Sequence, residues 1–147
     1  MLFYEGVDET FLTRFFRLEE DLQPILRAID RDPVIHQAIQ AYRGLRLIRQ
    51  DPWECLISYL CSMAKAIPHI RSIIEGLCRS SGKRIRFGNY IGYEFPEVLC
   101  RGSSSLLESV GAGFRTAYLV NASQCINREQ LIQLKSLPYP EARKSLM

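Results

Sequence analysis

The feature that most constrains this fold is a helical pattern between residues 49 and 70, RQDPWECLISYLCSMAKAIPHI. Asp51 can cap a helix, and Pro52 occupies the first helical position, where a missing N–H is tolerated. Apolar side chains then recur at steps of three and four, the period of a helix face: Trp53, Leu56, Ile57, Leu60, Cys61 and Ala64. Most of the other positions are apolar too, so the pattern predicts a helix buried in the middle of a domain.

The central helix is predicted to end in a short turn. Its pattern breaks at Ala64-Lys65-Ala66-Ile67, and Pro68 opens a second helix whose apolar residues again share one face. We expect the second helix to pack back against the first. The turn between them then presents Lys65 to solvent.

The chain length and composition predict one helical domain over residues 1–147. Of its 147 residues, 47% are hydrophobic, which is enough for a sizeable core. The predicted parts are leading helices at 1–48, the central pair at 49–81, a loop with room for short extended pieces at 82–95, and trailing helices at 96–147. No apolar run approaches the roughly 20 residues of a membrane span.

The five cysteines are odd in number and form no C-x-x-C pair. Most of them lie among apolar residues in helical patterns, so we expect buried free thiols in a reducing compartment. The first residues show no export signal, which favours the cytoplasm with its nucleoid, or the nucleus, over secretion. The cysteine and histidine spacings fit no metal site, and no cofactor motif is present.

Positive charge is concentrated in the middle of the chain. The net charge is +3, but residues 43–86 hold nine basic and three acidic side chains. A basic segment in a nearly neutral chain favours a local anionic partner. Solvated helix faces that happen to be basic are the alternative.

A second informative segment is residues 110–118, VGAGFRTAY. Its two glycines permit unusual backbone angles, and the helix that follows can attract phosphate at its N-terminus. Phe114 is a candidate wedge between stacked bases, and Arg115 is a candidate contact to a phosphate or a base edge. The alternative is a glycine-rich helix start with Phe114 packed in the core.

Lys65 and His69 are further candidates for contact with nucleic acid. Lys65 in the turn can meet a phosphate, and His69 in the first turn of the second helix can donate to a nucleic-acid group. For both, a plain solvated side chain is the alternative. No nucleophile, base and acid form a recognisable arrangement, so no catalytic residue is predicted.

Together, the runs at 49–62 and 111–118, RQDPWECLISYLCS and GAGFRTAY, resemble two motifs of the 8-oxoguanine DNA glycosylases, members of the helix-hairpin-helix superfamily. Residues 4–48 resemble the leading helical part of that family. The resemblance implies an all-α orthogonal helical bundle, truncated before the helix-hairpin-helix. It also implies that the catalytic lysine and aspartate of the family would follow residue 147.

The resemblance further implies a partner, double-stranded DNA containing oxidised guanine. The family flips the damaged base out of the duplex and fills the opening with protein side chains. Phe114 matches the wedge aromatic, and Arg115 matches an arginine that reads the cytosine opposite the lesion. Ala64 and His69 stand where the family has an asparagine and a second arginine, so two of the cytosine contacts are altered.

Two classes of function follow. The first is the lesion-recognition and duplex-binding part of an 8-oxoguanine DNA glycosylase/AP lyase, not catalytic on its own, with a C-terminal half or a partner chain completing the active site. The alternative is a non-enzymatic helical interaction module derived from the same fold. The first hypothesis requires that the Phe114 segment and the Lys65 turn lie on one side of the molecule, with Arg115 accessible.

Overall fold

The computed structural model describes residues 6–97 and 104–146. These ranges contain nine helices: α1 (Glu9–Phe15), α2 (Gln23–Ile29), α3 (Pro33–Ala41), α4 (Pro52–Ser62), α5 (Ile67–Ser81), α6 (Ser104–Ser109), α7 (Arg115–Cys125), α8 (Arg128–Leu134) and α9 (Tyr139–Ser145). Two short strands, β1 (Arg84–Phe87) and β2 (Tyr90–Tyr93), lie between α5 and α6. The predicted all-α class is confirmed. No helix in the described ranges has the length and apolar character needed to cross a bilayer.

The chain divides into two compact units, residues 1–50 and 51–147, where the sequence predicts one domain. The first unit contains α1 to α3, and none of its described residues is buried. Its connector after α3 is held by arginines. The Arg46 guanidinium donates to the backbone carbonyl of Glu20 at 2.9 Å, and Arg49 pairs with Glu19 at 2.6 Å and with Glu20 at 2.7 Å.

Helices α3 and α4 begin in the same way, as their Asp-Pro pairs predict. The Asp32 carboxylate accepts from the N–H groups of the second and third helical residues, both at 2.9 Å. The Asp51 carboxylate accepts from the equivalent groups of α4, at 3.0 Å from Trp53 and 3.3 Å from Glu54. Each cap satisfies backbone donors that have no partner within the helix. Asp51 also accepts from Arg128 Nε at 2.7 Å, which ties α8 to the start of α4.

Helix α4 supplies the largest share of the core in the second unit. Its buried face packs with residues of α5, α6, α7 and α8. The buried apolar residues of this core are Trp53, Ile57, Cys61, Ile73, Leu77, Leu107, Ala112, Leu119 and Leu131. The Trp53 indole donates to the carbonyl of Pro96 at 3.0 Å, so its one polar atom is satisfied.

Two predictions about burial need correction. Helix α4 is buried on one face only, since Tyr59 on the other side is 70% exposed. The prediction of buried thiols is wrong for Cys55 and Cys125, which are exposed, whereas Cys61 is buried. Cys55 lies on the exposed face of α4, and Cys125 lies at the exposed end of α7. Because both sites are apolar in sequence, the sequence pattern predicts more burial than the structure shows.

The segment after α5 forms a β-hairpin where the sequence predicts a loop with short extended pieces. Strands β1 and β2 are antiparallel, with Arg84 opposite Tyr93 and Phe87 opposite Tyr90. Gly88 has a φ of +54°, a backbone angle that hairpin loops of two residues favour. The helix predicted to start at Pro96 lies mostly outside the described residues.

Candidate nucleic-acid interface

Residues 62–65, hereafter the recognition turn, form a type II β-turn at the end of α4. Met63 has φ −55° and ψ 121°, Ala64 has φ +50°, and the N–H of Lys65 donates to the carbonyl of Ser62 at 3.3 Å. These angles and this bond define the turn type. The sharp reversal explains why α5 can start only two residues later and pack against α4.

Ala64 occupies the turn position that demands a left-handed backbone. Such a conformation costs an ordinary L-residue roughly 1–2 kcal/mol, and glycine or asparagine adopts it more readily. The asparagine that the family resemblance puts at this position therefore suits the turn, and alanine does not. Ala64 is exposed and has no polar side-chain atom that could bond a base.

Lys65 and His69 are both exposed, one in the recognition turn and the other in the first turn of α5. Neither side chain has an ion-pair or hydrogen-bond partner among the residues that the structure describes. The Lys65 ammonium group, which has no internal partner, therefore remains available to an external anion. Their contact with DNA stays a prediction.

Residues 111–114, hereafter the glycine tip, join α6 to α7. The N–H of Ala112 donates to the carbonyl of Leu107, and the N–H of Gly111 donates to that of Glu108, each at 3.0 Å. This pair of bonds is a Schellman motif, and it requires Gly111 to have its left-handed φ of +83°. Gly113 has a φ of +60°, so the chain reverses again immediately before α7.

The glycine tip leaves the ring of Phe114 exposed. The residue is 62% exposed, and its ring meets Tyr118 edge-on with the centroids 6.4 Å apart. The guanidinium carbon of Arg115 lies 4.2 Å from the centroid of the Phe114 ring. The ring therefore contacts the Arg115 guanidinium and the Tyr118 ring, and the rest of its surface faces solvent. This excludes the alternative in which Phe114 packs in the core.

Arg115 is the buried member of the site and is only 2% exposed. Its Nη1 donates to the carbonyl of Ala112 at 3.2 Å, and its Nη2 donates to the carbonyl of Met63 in the recognition turn. Its Nε has no partner. The sequence predicts an accessible Arg115, and that prediction is wrong because the side chain is buried. The exposed groups left to meet a duplex are those of Phe114, Lys65 and His69. A contact between Arg115 and DNA stays a prediction, and it would need the side chain to leave its present position.

The bond from Arg115 to Met63 brings the recognition turn and the glycine tip together. The requirement that these two segments lie on one side of the molecule is therefore met. The sequence offers no signal for this contact, because the acceptor is a backbone carbonyl 52 residues away, which any side chain at position 63 would provide. The hydroxyl of Thr116, next to Arg115, is likewise buried without a partner.

The charge of Arg115 is also felt by Cys61 in the core. Burial raises the pKa of the Cys61 thiol to about 11, and the nearby guanidinium acts in the opposite direction. Within residues 6–97 and 104–146, no three His, Cys, Asp or Glu side chains are grouped closely enough to hold a metal ion. The site does present an exposed aromatic ring, that of Phe114, and an exposed positive charge, that of Lys65.

Comparisons with known proteins identify the family that this chain resembles. The model of the 8-oxoguanine DNA glycosylase N-terminal domain matches residues 5–56. The crystal structure of Clostridium acetobutylicum 8-oxoguanine glycosylase/lyase in its apo-form superimposes with a TM-score of 0.84 and 30% identity, over 94% of this chain and 50% of that one. This chain is a relative of the 8-oxoguanine DNA glycosylases.

Curated relatives of this glycosylase-like chain agree with the structural match. The N-glycosylase/DNA lyase OGG1 of Arabidopsis thaliana is 32% identical over 127 residues, which is 79% of this chain and 34% of that protein. The N-glycosylase/DNA lyase of Saccharomyces cerevisiae is 28% identical over 120 residues, 79% of this chain and 32% of that protein. The chain thus spans about a third of the length of these two curated relatives.

One solved structure shows what a related glycosylase binds. The Clostridium acetobutylicum enzyme has been crystallised in complex with double-stranded DNA containing cytosine opposite 8-oxoguanine. That structure matches 95% of this chain and 51% of its own, again with a TM-score of 0.84 and 30% identity. The predicted orthogonal bundle of the glycosylase type is therefore confirmed as the fold of this chain.

Proposed function

We propose that this chain is the lesion-recognition and duplex-binding part of an 8-oxoguanine DNA glycosylase/AP lyase and does not excise bases on its own. The observation that carries the proposal is the exposed Phe114 ring on a glycine tip that is bonded to the Lys65-bearing turn. The DNA complex of the Clostridium enzyme supports duplex DNA containing 8-oxoguanine as the partner.

The physical mechanism begins with the cost of opening the duplex. Extruding one nucleotide costs a few kcal/mol of stacking and pairing. Phe114 offers an aromatic face that can replace part of that stacking, at roughly 1–3 kcal/mol per stacked base. Lys65 offers a positive charge for a phosphate beside the opening, and His69 offers a donor within the next helical turn. The excision step would come from a C-terminal half or partner chain that carries the catalytic lysine.

The test compares binding of the purified chain to a short duplex with 8-oxoguanine opposite cytosine and to the same duplex with guanine. We expect salt-dependent binding with a preference for the lesion, and we expect Phe114→Ala to weaken lesion binding by about tenfold or more because the stacking surface is lost. Tyr90→Ala is the matched control, since Tyr90 is an exposed aromatic residue of β2 and belongs to neither the recognition turn nor the glycine tip.

The same titrations test Lys65. Lys65→Ser is expected to lower the dependence of log affinity on log salt by about one, the change for one lost phosphate contact. Lys144→Ser, on α9, removes the same charge outside the proposed site and is expected to leave the slope unchanged. Absence of any salt-dependent duplex affinity in the wild-type chain would reject the proposal and favour a non-enzymatic interaction module.

A further inference from the structure

We infer that Arg115 is a positioning residue that fixes the recognition turn to the glycine tip before DNA is bound. The inference concerns the DNA-free protein, and its meaning for recognition rests on the proposed function. Its guanidinium donates to one carbonyl in each segment, Ala112 in the tip and Met63 in the turn. A single side chain therefore joins two segments that are 52 residues apart in sequence.

Each joined segment connects two helices, and the backbone hydrogen bonds that close it lie within its own part of the chain. The recognition turn contains a left-handed alanine, and its own hydrogen bond, from Lys65 to Ser62, is long at 3.3 Å. The N-cap of the following helix, Ala66, provides no side-chain hydrogen bond. The glycine tip contains two left-handed glycines with open space around them. The Arg115 bonds thus add a constraint between the two segments, which their own short-range backbone bonds do not supply.

The arginine also determines where the Phe114 ring stands. The guanidinium lies 4.2 Å from the ring centroid, within the range of a cation–π contact. The bond to Met63 fixes the guanidinium, and the guanidinium in turn supports the ring. The wedge and the turn are consequently presented to a duplex in one relative arrangement, which lowers the ordering cost of binding.

A purely space-filling role explains the site less well. A buried charge is costly, and here the Nε donor has no partner at all. An apolar side chain of similar size would fill the same volume without that cost. The two carbonyl contacts are what an apolar side chain cannot supply. A role confined to reading a base in the complex does not explain them either, because they exist without DNA.

The experiment measures backbone amide hydrogen exchange in the DNA-free chain, residue by residue. Arg115→Met keeps most of the side-chain volume and removes every donor. The amides of Ile73 and Leu77 report the stability of the core around α5. After correction for any change in their exchange rates, we expect the Lys65 amide to exchange at least tenfold faster in Arg115→Met than in the wild type. Arg115→Lys keeps the charge and can reach one carbonyl. The exchange rate of the Lys65 amide in this variant is therefore expected to lie between those of the wild type and Arg115→Met.

The control for general destabilisation is Leu131→Ala, a core truncation in α8. In that variant the exchange rate of the Lys65 amide is expected to increase by no more than the rates of the Ile73 and Leu77 amides. If Lys65 in Arg115→Met also follows the core amides, Arg115 is merely structural and the inference is overturned. If Arg115→Met does not fold, Arg115→Lys decides alone: unchanged Lys65 exchange in a folded Arg115→Lys overturns the inference.

Binding to the 8-oxoguanine duplex separates this inference from the proposed function. Weaker binding by Arg115→Met with wild-type Lys65 exchange would identify a direct DNA contact and overturn the positioning role. Faster Lys65 exchange together with weaker binding supports it. If the wild-type chain binds no duplex, the proposed function fails, while the exchange result still decides whether Arg115 holds the two segments together.

Discussion

At the scale of single residues, the recognition turn contains an alanine at a position where its backbone conformation favours glycine or asparagine. A type II turn favours glycine or asparagine at its third position, and this chain has Ala64 there with φ +50°. The exposed position gives alanine no packing in return. The turn is therefore retained because α4 and α5 must pack together, and part of that packing energy offsets the strain.

Replacing Ala64 by glycine is expected to stabilise the protein. Relief of the left-handed strain outweighs the extra disorder that glycine gives the unfolded chain, for a net gain of about 0.5–1 kcal/mol in the free energy of unfolding. Urea denaturation measures the change. Ala66→Gly is the control, since Ala66 has an extended backbone with φ −75°, and there glycine should destabilise by about 0.5 kcal/mol. Equal destabilisation by both variants would show that Ala64 is unstrained.

The cysteines differ in reactivity for reasons of burial. Cys61 is fully buried, and burial raises the pKa of its thiol to about 11, whereas Cys125 is an exposed thiol at the end of α7. Because the thiolate is the reactive form, we expect iodoacetamide at pH 8 to modify Cys125 first and Cys61 only after unfolding. Peptide mass spectrometry with increasing urea measures both sites. Early modification of Cys61 in the native chain would contradict its burial.

At the scale of elements, the α4–α5 pair positions the candidate interface, and close packing at Gly76 helps to hold it. A β-carbon at Gly76 of α5 would come 2.8 Å from Cγ1 and 3.0 Å from Cβ of Val110, the residue that precedes the glycine tip. The missing side chain therefore lets the end of α6 approach α5. The position of the tip depends on this contact as well as on Arg115.

Gly76→Ala tests that contact, since two effects oppose each other. In a free helix the change would gain about 1 kcal/mol of helix propensity, but overpacking against Val110 costs roughly 1–3 kcal/mol. We expect the free energy of unfolding, measured by thermal denaturation, to fall by about 1 kcal/mol. In a Val110→Ala background the same change should become neutral or stabilising. A gain in the wild-type background would mean that the two elements can move apart freely.

At the scale of the whole molecule, burial is distributed unequally between the two units. None of the described residues before position 51 is buried, whereas α4 alone contributes three buried side chains. Local stability follows packing more closely than it follows helix capping. Helices α3 and α4 make a matched pair for testing this, because both start with an Asp cap and a Pro at the first position.

Amide hydrogen exchange is expected to distinguish these two helices. With equivalent caps, any difference in protection must arise from tertiary packing. We expect the central amides of α4 to exchange at least a hundredfold more slowly than those of α3, because Trp53, Ile57 and Cys61 hold α4 in the core. Equal protection in α3 would show that the first unit is stabilised independently of side-chain burial.

The amino-acid sequence alone was sufficient for the features that depend on neighbouring residues. The Asp-Pro helix starts and the period of the α4 face both depend on groups within about four residues of each other. The start of α7 just after Phe114 was also predictable, because the two glycines before it are a local signal, but the exposure of the Phe114 ring was only one of two alternatives.

The tertiary structure decided what depends on distant groups. The Tyr118 ring, for example, is 51% exposed and meets the Phe114 ring edge-on. Arg115, predicted to be accessible, is buried against the backbone of Met63. A side chain's type shows which bonds it can make, but a carbonyl acceptor is present at every residue. Only the folded chain determines which carbonyl lies within reach, and here that determines whether Arg115 faces a partner or holds the site together.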